Sequence, residues 1–166
     1  FWSVVHTKAY QPDPSIPKIL GSIGKSRRAI VQHFLSEHGI TSDQYQTIIH
    51  ATAVVASTAT LGFGVHVGPG AIISPHSTIG NFCVINRQVS LGHHSVLKDF
   101  SCLNPGVTVA GACQLEEHSV VGAGATIIDQ ICIGRNSVIG AGSVVTKNIP
   151  DNVVAYGVPV KVIRSM

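Results

Sequence analysis

Every sixth residue from Val55 to Val145 is Val, Ile or Leu: Val55, Leu61, Val67, Ile73, Ile79, Ile85, Leu91, Leu97, Leu103, Val109, Leu115, Val121, Ile127, Ile133, Ile139 and Val145. Two places before each runs a second series, Ala53, Ala59, Val65, Ala71, Ser77, Cys83, Val89, Ser95 and onward to Ser143, in which only Ile131 is neither small nor Val. A helix repeats every 3.6 residues and a strand every two, so neither produces a period of six. The hexad predicts an all-β solenoid in which six residues supply one short strand and one corner. Three strands close a triangular coil, so residues three hexads apart lie over one another. The aliphatic residue points inward and stacks on its equivalent in the next coil. The small residue sits beside it, where a large one would not fit. Gly62, Gly68, Gly80, Gly92, Gly122, Gly134 and Gly140 each follow the inward aliphatic, and the pattern assigns the sharp turn to them. Parallel ladders between coils make stability accrue coil by coil. On this count residues 50–148 form about five coils. A sandwich would instead show period-two alternation with irregular turn spacing.

The ends leave the hexad. Residues 1–49 read as the remnant of a small α/β domain: a strand within "SIPKIL", a glycine turn, and a helix from about Ser26 to Glu37 with Ile30, Val31, Phe34 and Leu35 as its apolar face. Residues 149–166 form a C-terminal capping segment. Pro150, Gly157 and Pro159 argue against a regular strand there, and the segment is expected to fold back over the last coil.

Composition narrows the class. Aromatic residues make up 5% and charged residues 11% of the 166, with 17 glycines, which suits a narrow interior and excludes a disordered chain. The formal charge is +3, and the basic residues are scattered apart from Lys25, Arg27 and Arg28. Nucleic acid would require a denser stripe. No apolar run has membrane-spanning length, and the opening "FWSVVHTKAY" lacks the layout of a signal peptide. The first residue is Phe rather than Met, which reads as a truncated or partly ordered chain. The four cysteines, Cys83, Cys102, Cys113 and Cys132, have no CxxC spacing and are expected to be reduced thiols in a cytoplasmic protein.

Reactive groups collect at the corners. His93 and His94 fall two and three places after the inward Leu91, so both face out of the solenoid. Gly111 stands three hexads beyond His93, which sets an imidazole beside a backbone N–H. That pairing suits acyl transfer: the imidazole takes a proton from the attacking group, and the amide steadies the oxyanion. Spacing alone equally allows two solvated histidines without a role. His66, His76 and His118 lie on or near corners and read as surface residues. Ala123 and Ala141, again three hexads apart and flanked by glycines in "VGAGAT" and "IGAGSV", would leave a shallow groove for a long thin ligand. Lys147, Lys161 and Arg164 near its end are candidate phosphate partners.

Three pieces, "TIIHATAVV", "INRQVSLGHHSVLKDFSCLNPG" and "GAGSVVTKNIPDNVVAYGVPVKVIR", resemble the left-handed β-helix acyltransferases with hexapeptide repeats. The resemblance covers roughly residues 45–166. It points to the bacterial sugar-modifying branch, which includes sialic-acid O-acetyltransferases and N-acetyltransferases of nucleotide-linked 4-amino sugars. It implies a left-handed parallel β-helix, acetyl-CoA as co-substrate and no metal. His93 corresponds to the family's catalytic base, with His94 beside it, and Asn86 to a residue near the acceptor. The acceptor would attack the thioester directly, with no acyl-enzyme. Acetyl-CoA would run along the Ala123–Ala141 corner toward Lys147 and Lys161. The resemblance also implies a homotrimer, with each site in the groove between neighbouring solenoids. Three departures stand out. His94 takes a place usually held by Asp or Glu. Cys102, nine after His93, takes one often held by a histidine that touches the cofactor. The N-terminal strand and Gly-rich turn that hold the nucleotide sugar are missing, with the helix near Arg27 and Arg28 resembling the tail of such a domain.

The expected function is acetyl transfer from acetyl-CoA to a sugar, most simply a nucleotide-linked 4-amino sugar. Alternatives keep the donor and change the acceptor to a sialic-acid hydroxyl or a small amino acid, or make the solenoid a silent acetyl-CoA-binding module. A carbonic anhydrase on this scaffold would need three histidines, commonly with an HxxxxH pair, and this reading expects no such pair in the chain.

Overall fold

A computed structural model of the protein describes residues 11–13, 16–22 and 26–166. Its elements are one helix, α1 (Arg27–His38), a short 3-10 turn (Ser42–Gln44), and seventeen two-residue strands from β1 (Ile48–Ile49) to β17 (Val144–Val145). Two longer strands follow, β18 (Val153–Gly157) and β19 (Val160–Ser165). Every third strand pairs in parallel, so partners stand three hexads apart: Val67 lies against Ile85, Leu91 against Val109, and Leu97 against Leu115. Three sheets result. The first contains β1, β4, β7, β10, β13, β16, β18 and β19; the second β2, β5, β8, β11, β14 and β17; the third β3, β6, β9, β12 and β15.

The inward series behaves as its period requires. From Val67 to Val145 every member is at most 2% exposed, and each fully buried aliphatic contributes about 1.5–3 kcal/mol relative to exposure. The companion series has a second function beyond small size. Ser101 donates to the carbonyls of Lys98 and Glu116 at 2.7 and 3.0 Å, Ser95 to Ala110 at 3.1 Å, and the Cys113 thiol to Ile128 at 3.1 Å. A hydroxyl or thiol here reaches a carbonyl of the next coil. No buried side-chain nitrogen or oxygen among the described residues lacks a partner, as low-dielectric interiors require.

The glycine assignment needs correction. The left-handed turn residue is three places after the inward aliphatic, at Gly64, Gly70, His76, Phe82, Gln88, His94, Phe100 and so on along the hexad. The glycines one place after the aliphatic answer a different demand, close approach of coils. A Cβ on Gly92 would sit 2.4 Å from the Ala110 carbonyl carbon, and one on Gly122 2.4 Å from the Ala141 nitrogen.

The solenoid makes about six turns rather than five. Ile49 already carries the inward register, pairing beside Val67. At the far end Ile133 bridges Ile149, and Ile139 pairs with Ala155. Those partners stand closer in the chain than three hexads, so the last turn is shortened and drops out of a hexad count. Beyond it, β18 adds to β16 in parallel and β19 returns antiparallel to β18. Strands therefore do form in the C-terminal segment. Pro150 precedes them, Gly157 ends β18, and Pro159 follows a cis Val158–Pro159 bond in the hairpin turn, so no proline occupies a ladder position.

Before the solenoid, the expected strand within "SIPKIL" amounts to one bridge, Lys18 to Tyr45. The helix packs with Val31 buried and Ile30 and Phe34 half-buried, but Leu35 is 48% exposed. Buried Arg27 takes the inward place instead and donates to the carbonyls of Phe82 and Phe100. Val31, Ile40, Tyr45 and Phe82 form a small separate core at this junction. Lys25 lies outside the described residues.

Candidate active site

The corner between the second and third sheets carries His93 and His94 directly after β8 (Ser90–Leu91). Both side chains are exposed. On the coil above stand Gly111 and Ala112, and on the coil below Pro75 and His76. The His93 ring rests on Gly111: a Cβ there would lie 2.7 Å from its Cε1, 2.8 Å from Nε2 and 3.2 Å from Nδ1. Any side chain at 111 would displace the imidazole.

His94 is the left-handed residue of the corner, with φ of 57°. Its N–H donates to the Pro75 carbonyl at 3.1 Å, and its ring lies 4.9 Å from that of His76 at 35°. His93 Nδ1 and His94 Nδ1 are 3.0 Å apart, with the rings nearly perpendicular. One of these nitrogens must donate and the other accept.

The corner amides divide unequally. The left-handed residue spends its N–H on the preceding coil, as in Ala112 to the His93 carbonyl at 2.8 Å and Gln130 to the Gly111 carbonyl at 3.0 Å. The residue just before it has no such backbone partner. At three places on the corner between the third and first sheets a side chain one coil ahead accepts that N–H: Asn81 accepts from Phe63, Asp99 from Asn81, and Asp151 from Arg135. Among the described residues nothing accepts from the Gly111 N–H. An amide free of the ladder, beside an imidazole, can hydrogen-bond an oxyanion.

The other candidates lie elsewhere on the chain. Asn86 stands on the corner between the first and second sheets, half-buried, its Oδ1 accepting from the Arg87 N–H at 2.8 Å. Ala123 and Ala141 are exposed on the same corner line. Gly124 and Gly142 beside them have no atom within 4 Å of where a Cβ would be, so the backbone lies bare, a surface that fits a thin chain. Lys147 is exposed on the corner line of His93, just past β17. Lys161 and Arg164 are exposed on β19 at the edge of the first sheet. Cys102 points out from the first sheet yet is 6% exposed, in a groove with Arg27, Phe100, Asn104 and His118. One edge of the triangle, a hexad at ~3.3 Å per residue, puts neighbouring corner lines up to about 20 Å apart. A single chain therefore joins His93, His94 and Gly111, and leaves Asn86, Ala123, Ala141 and Cys102 on other sides.

Burial shifts the four cysteines and His118. Burial pushes the Cys83 thiol up to about 12. It also raises Cys102, against the opposing pull of Arg27, and raises Cys113 and Cys132. The reactive form of cysteine is the thiolate, so none of the four is prepared as a nucleophile. His118 is lowered by burial and then by Arg28, whose Nη1 is 3.5 Å from its Nε2; its ring stacks on Phe100 at 5.0 Å. His66 is on strand β4 (His66–Val67) rather than a corner. An HxxxxH pair does occur in the chain, His33 and His38, but on α1. No group of three His, Cys, Asp or Glu among the described residues is arranged to hold a metal.

Sequence reasoning missed the His93–His94 contact, the His76 stack and the fate of the corner amides. The three-hexad spacing of His76 and His94 was a usable signal for the stack. The contact between the two Nδ1 atoms had none, because side-chain torsions set it.

The family described as the GMPPB C-terminal domain matches residues 44–155. Similar solved structures include a His-to-Asn mutant of perosamine N-acetyltransferase from Caulobacter crescentus in complex with CoA and GDP-perosamine. It is 32% identical with a TM-score of 0.77, over 84% of this chain and 64% of that one. The acetyltransferase domain of PglB from Neisseria gonorrhoeae FA1090, in complex with acetyl coenzyme A, is 28% identical with a TM-score of 0.76, over 82% of this chain and 65% of that one. WeeI from Acinetobacter baumannii AYE shares the fold at 23% identity and a TM-score of 0.77, over 90% of this chain and 74% of that one. The chain thus spans a little under two thirds of the first two. No curated protein matches it. No helix among the described residues is long and apolar enough to cross a membrane.

Proposed function

We propose that the chain, which belongs to the family described as the GMPPB C-terminal domain and folds as a left-handed β-helix, transfers acetyl from acetyl-CoA to an amino group on a nucleotide-linked sugar. The observation that carries this reading is the His93 ring seated on Gly111, whose amide is free of the coil ladder. His93 takes a proton from the acceptor nitrogen as that nitrogen bonds to the thioester carbonyl carbon. Negative charge on the carbonyl oxygen is met by the Gly111 N–H. The carbon–sulfur bond then breaks, and His93 returns the proton to the departing thiolate. Direct attack agrees with four thiols held protonated. Two neighbouring structures with a single histidine replaced hold both CoA and GDP-perosamine, which supports a histidine in chemistry more than in binding.

The division of candidates among corners supports a homotrimer. One copy supplies His93, His94 and Gly111 to the cleft. The facing copy supplies Asn86 toward the acceptor and the bare corner at Ala123 and Ala141 for acetyl-CoA, with Cys102 beneath. Lys147 and Lys161 receive its phosphates. Both substrates are metabolites of the cytoplasm, where we place the protein.

The test supplies acetyl-CoA with UDP-, dTDP- and GDP-linked 4-amino sugars, sialic acid and serine, and follows thiol release. His93→Ala should lower turnover about 100-fold or more. Activity that survives this change overturns the assignment of His93. Turnover only with sialic acid or serine reassigns the acceptor. Tight acetyl-CoA binding with no turnover on any acceptor would make the solenoid a binding module.

A further inference from the structure

We propose that His94 is a positioning residue that works as a neutral imidazole: its Nδ1 accepts the Nδ1–H of His93 and so leaves the lone pair of His93 on Nε2. The inference deepens the acetyl-transfer reading and rests on it for its purpose, though not for its test. The two Nδ1 atoms stand 3.0 Å apart, and a neutral imidazole carries one N–H. Two assignments satisfy that contact. If His94 donated, His93 would carry its proton on Nε2 and offer its lone pair to His94, leaving nothing with which to deprotonate an acceptor. If His93 donates, Nε2 is free. Only the second makes a base.

His94 is held well enough for this role. Its backbone N–H is bound to the Pro75 carbonyl, its φ is fixed at 57° by the corner, and its ring packs against His76. The titratable groups packed on it are His93 and, from the coil below, His76. The coil above presents Gly111 and Ala112, which carry no charge. No carboxylate among the described residues is hydrogen-bonded or ion-paired to either ring, so no other group fixes the His93 tautomer. When His93 becomes an imidazolium during the reaction, the same contact becomes charge-assisted and strengthens. Protonation of His94 consumes the lone pair it needs. The active form therefore has both rings neutral.

Long-range proton–nitrogen correlation spectra of histidine-labelled protein read the tautomers directly, without donor or acceptor. Wild-type protein should show His93 protonated at Nδ1 and His94 at Nε2. His94→Asn retains a side-chain acceptor and a residue that tolerates positive φ, and should keep the His93 tautomer. His94→Ala is tolerated by the backbone, since Ala112 holds the equivalent corner at φ 55°. It should release His93 to a mixture of tautomers. With an active acceptor, His94→Ala should lower kcat roughly 10- to 100-fold with little change in KM; His94→Asn should recover part of the rate. His93 protonated at Nε2 in the wild type, or unchanged by His94→Ala, overturns the proposal even if the protein acetylates sugars. Absence of turnover with every acceptor refutes acetyl transfer and leaves the tautomer result to stand or fall by itself.

Discussion

Replacing Gly111 by Ala separates chemistry from folding. The added Cβ would meet the His93 ring at 2.7 Å, and ordinary contact begins near 3.4 Å. The ring must therefore move by about 0.7 Å to regain van der Waals separation. It is the far end of a side chain, so it yields without shifting the backbone. An off-rotamer torsion of this size costs about 0.5–1.5 kcal/mol. Gly111 does not adopt a positive φ, so the alanine backbone is unstrained and reduced freedom of the unfolded chain returns about 0.4–1 kcal/mol. Net stability should hardly change, and the melting temperature should move by at most about 4 °C. Turnover should suffer far more, since a misplacement approaching ~1 Å costs on the order of 30- to 100-fold. Gly92→Ala is the control: its Cβ would meet backbone atoms of Ala110 and Gly111 at 2.4 to 2.7 Å, which only separation of the coils relieves. Its cost should be about 1–3 kcal/mol or more. Thermal melts by circular dichroism and thiol release from acetyl-CoA measure the two properties. Wild-type turnover in Gly111→Ala would refute the placement of His93 as base. A melting loss equal to that of Gly92→Ala would refute the claim that the ring is the part that yields.

Further expectations concern the interior and the groove under α1. Ser101→Ala removes the donor to two carbonyls and the acceptor for Ser119, which is 3.3 Å away. Denaturant unfolding should show a loss of about 1–3 kcal/mol, and a neutral result would mean the buried hydroxyls only fill space. Thiol titration of the native protein should modify Cys132 first, since Cys83, Cys102 and Cys113 are buried; fast reaction of Cys102 would contradict its burial beneath Arg27 and Phe100. The lowered His118 makes the unfolded state bind the extra proton as pH falls below the unperturbed value of about 6.5. Its contribution is complete above that pH and is lost as pH drops toward the lower folded value. His118→Phe should therefore narrow the difference in melting temperature between pH 7 and pH 5, and an unchanged difference would remove the effect.

The solenoid follows from the order of residues with no other information. Sixteen aliphatics in strict register leave one way to bury them, and a spacing of three hexads carries His93 over Gly111. That much is legible because the coil ladder is periodic, so a residue's axial position follows from its number. Where the period breaks, reading by number fails. The final turn closes early, at Ile149 and Ala155, so the hexad loses it, and the β18–β19 hairpin answers to the exposed edge of one sheet. At Gly92 a turn and a close approach select the same residue, and only the next coil's backbone distinguishes them. Side-chain torsions and lateral packing carry no period at all. The meeting of His93 and His94 through Nδ1, the inward turn of Arg27 in place of Leu35, and the cover over Cys102 are set by torsions and by atoms distant along the chain, which come together only once it has folded.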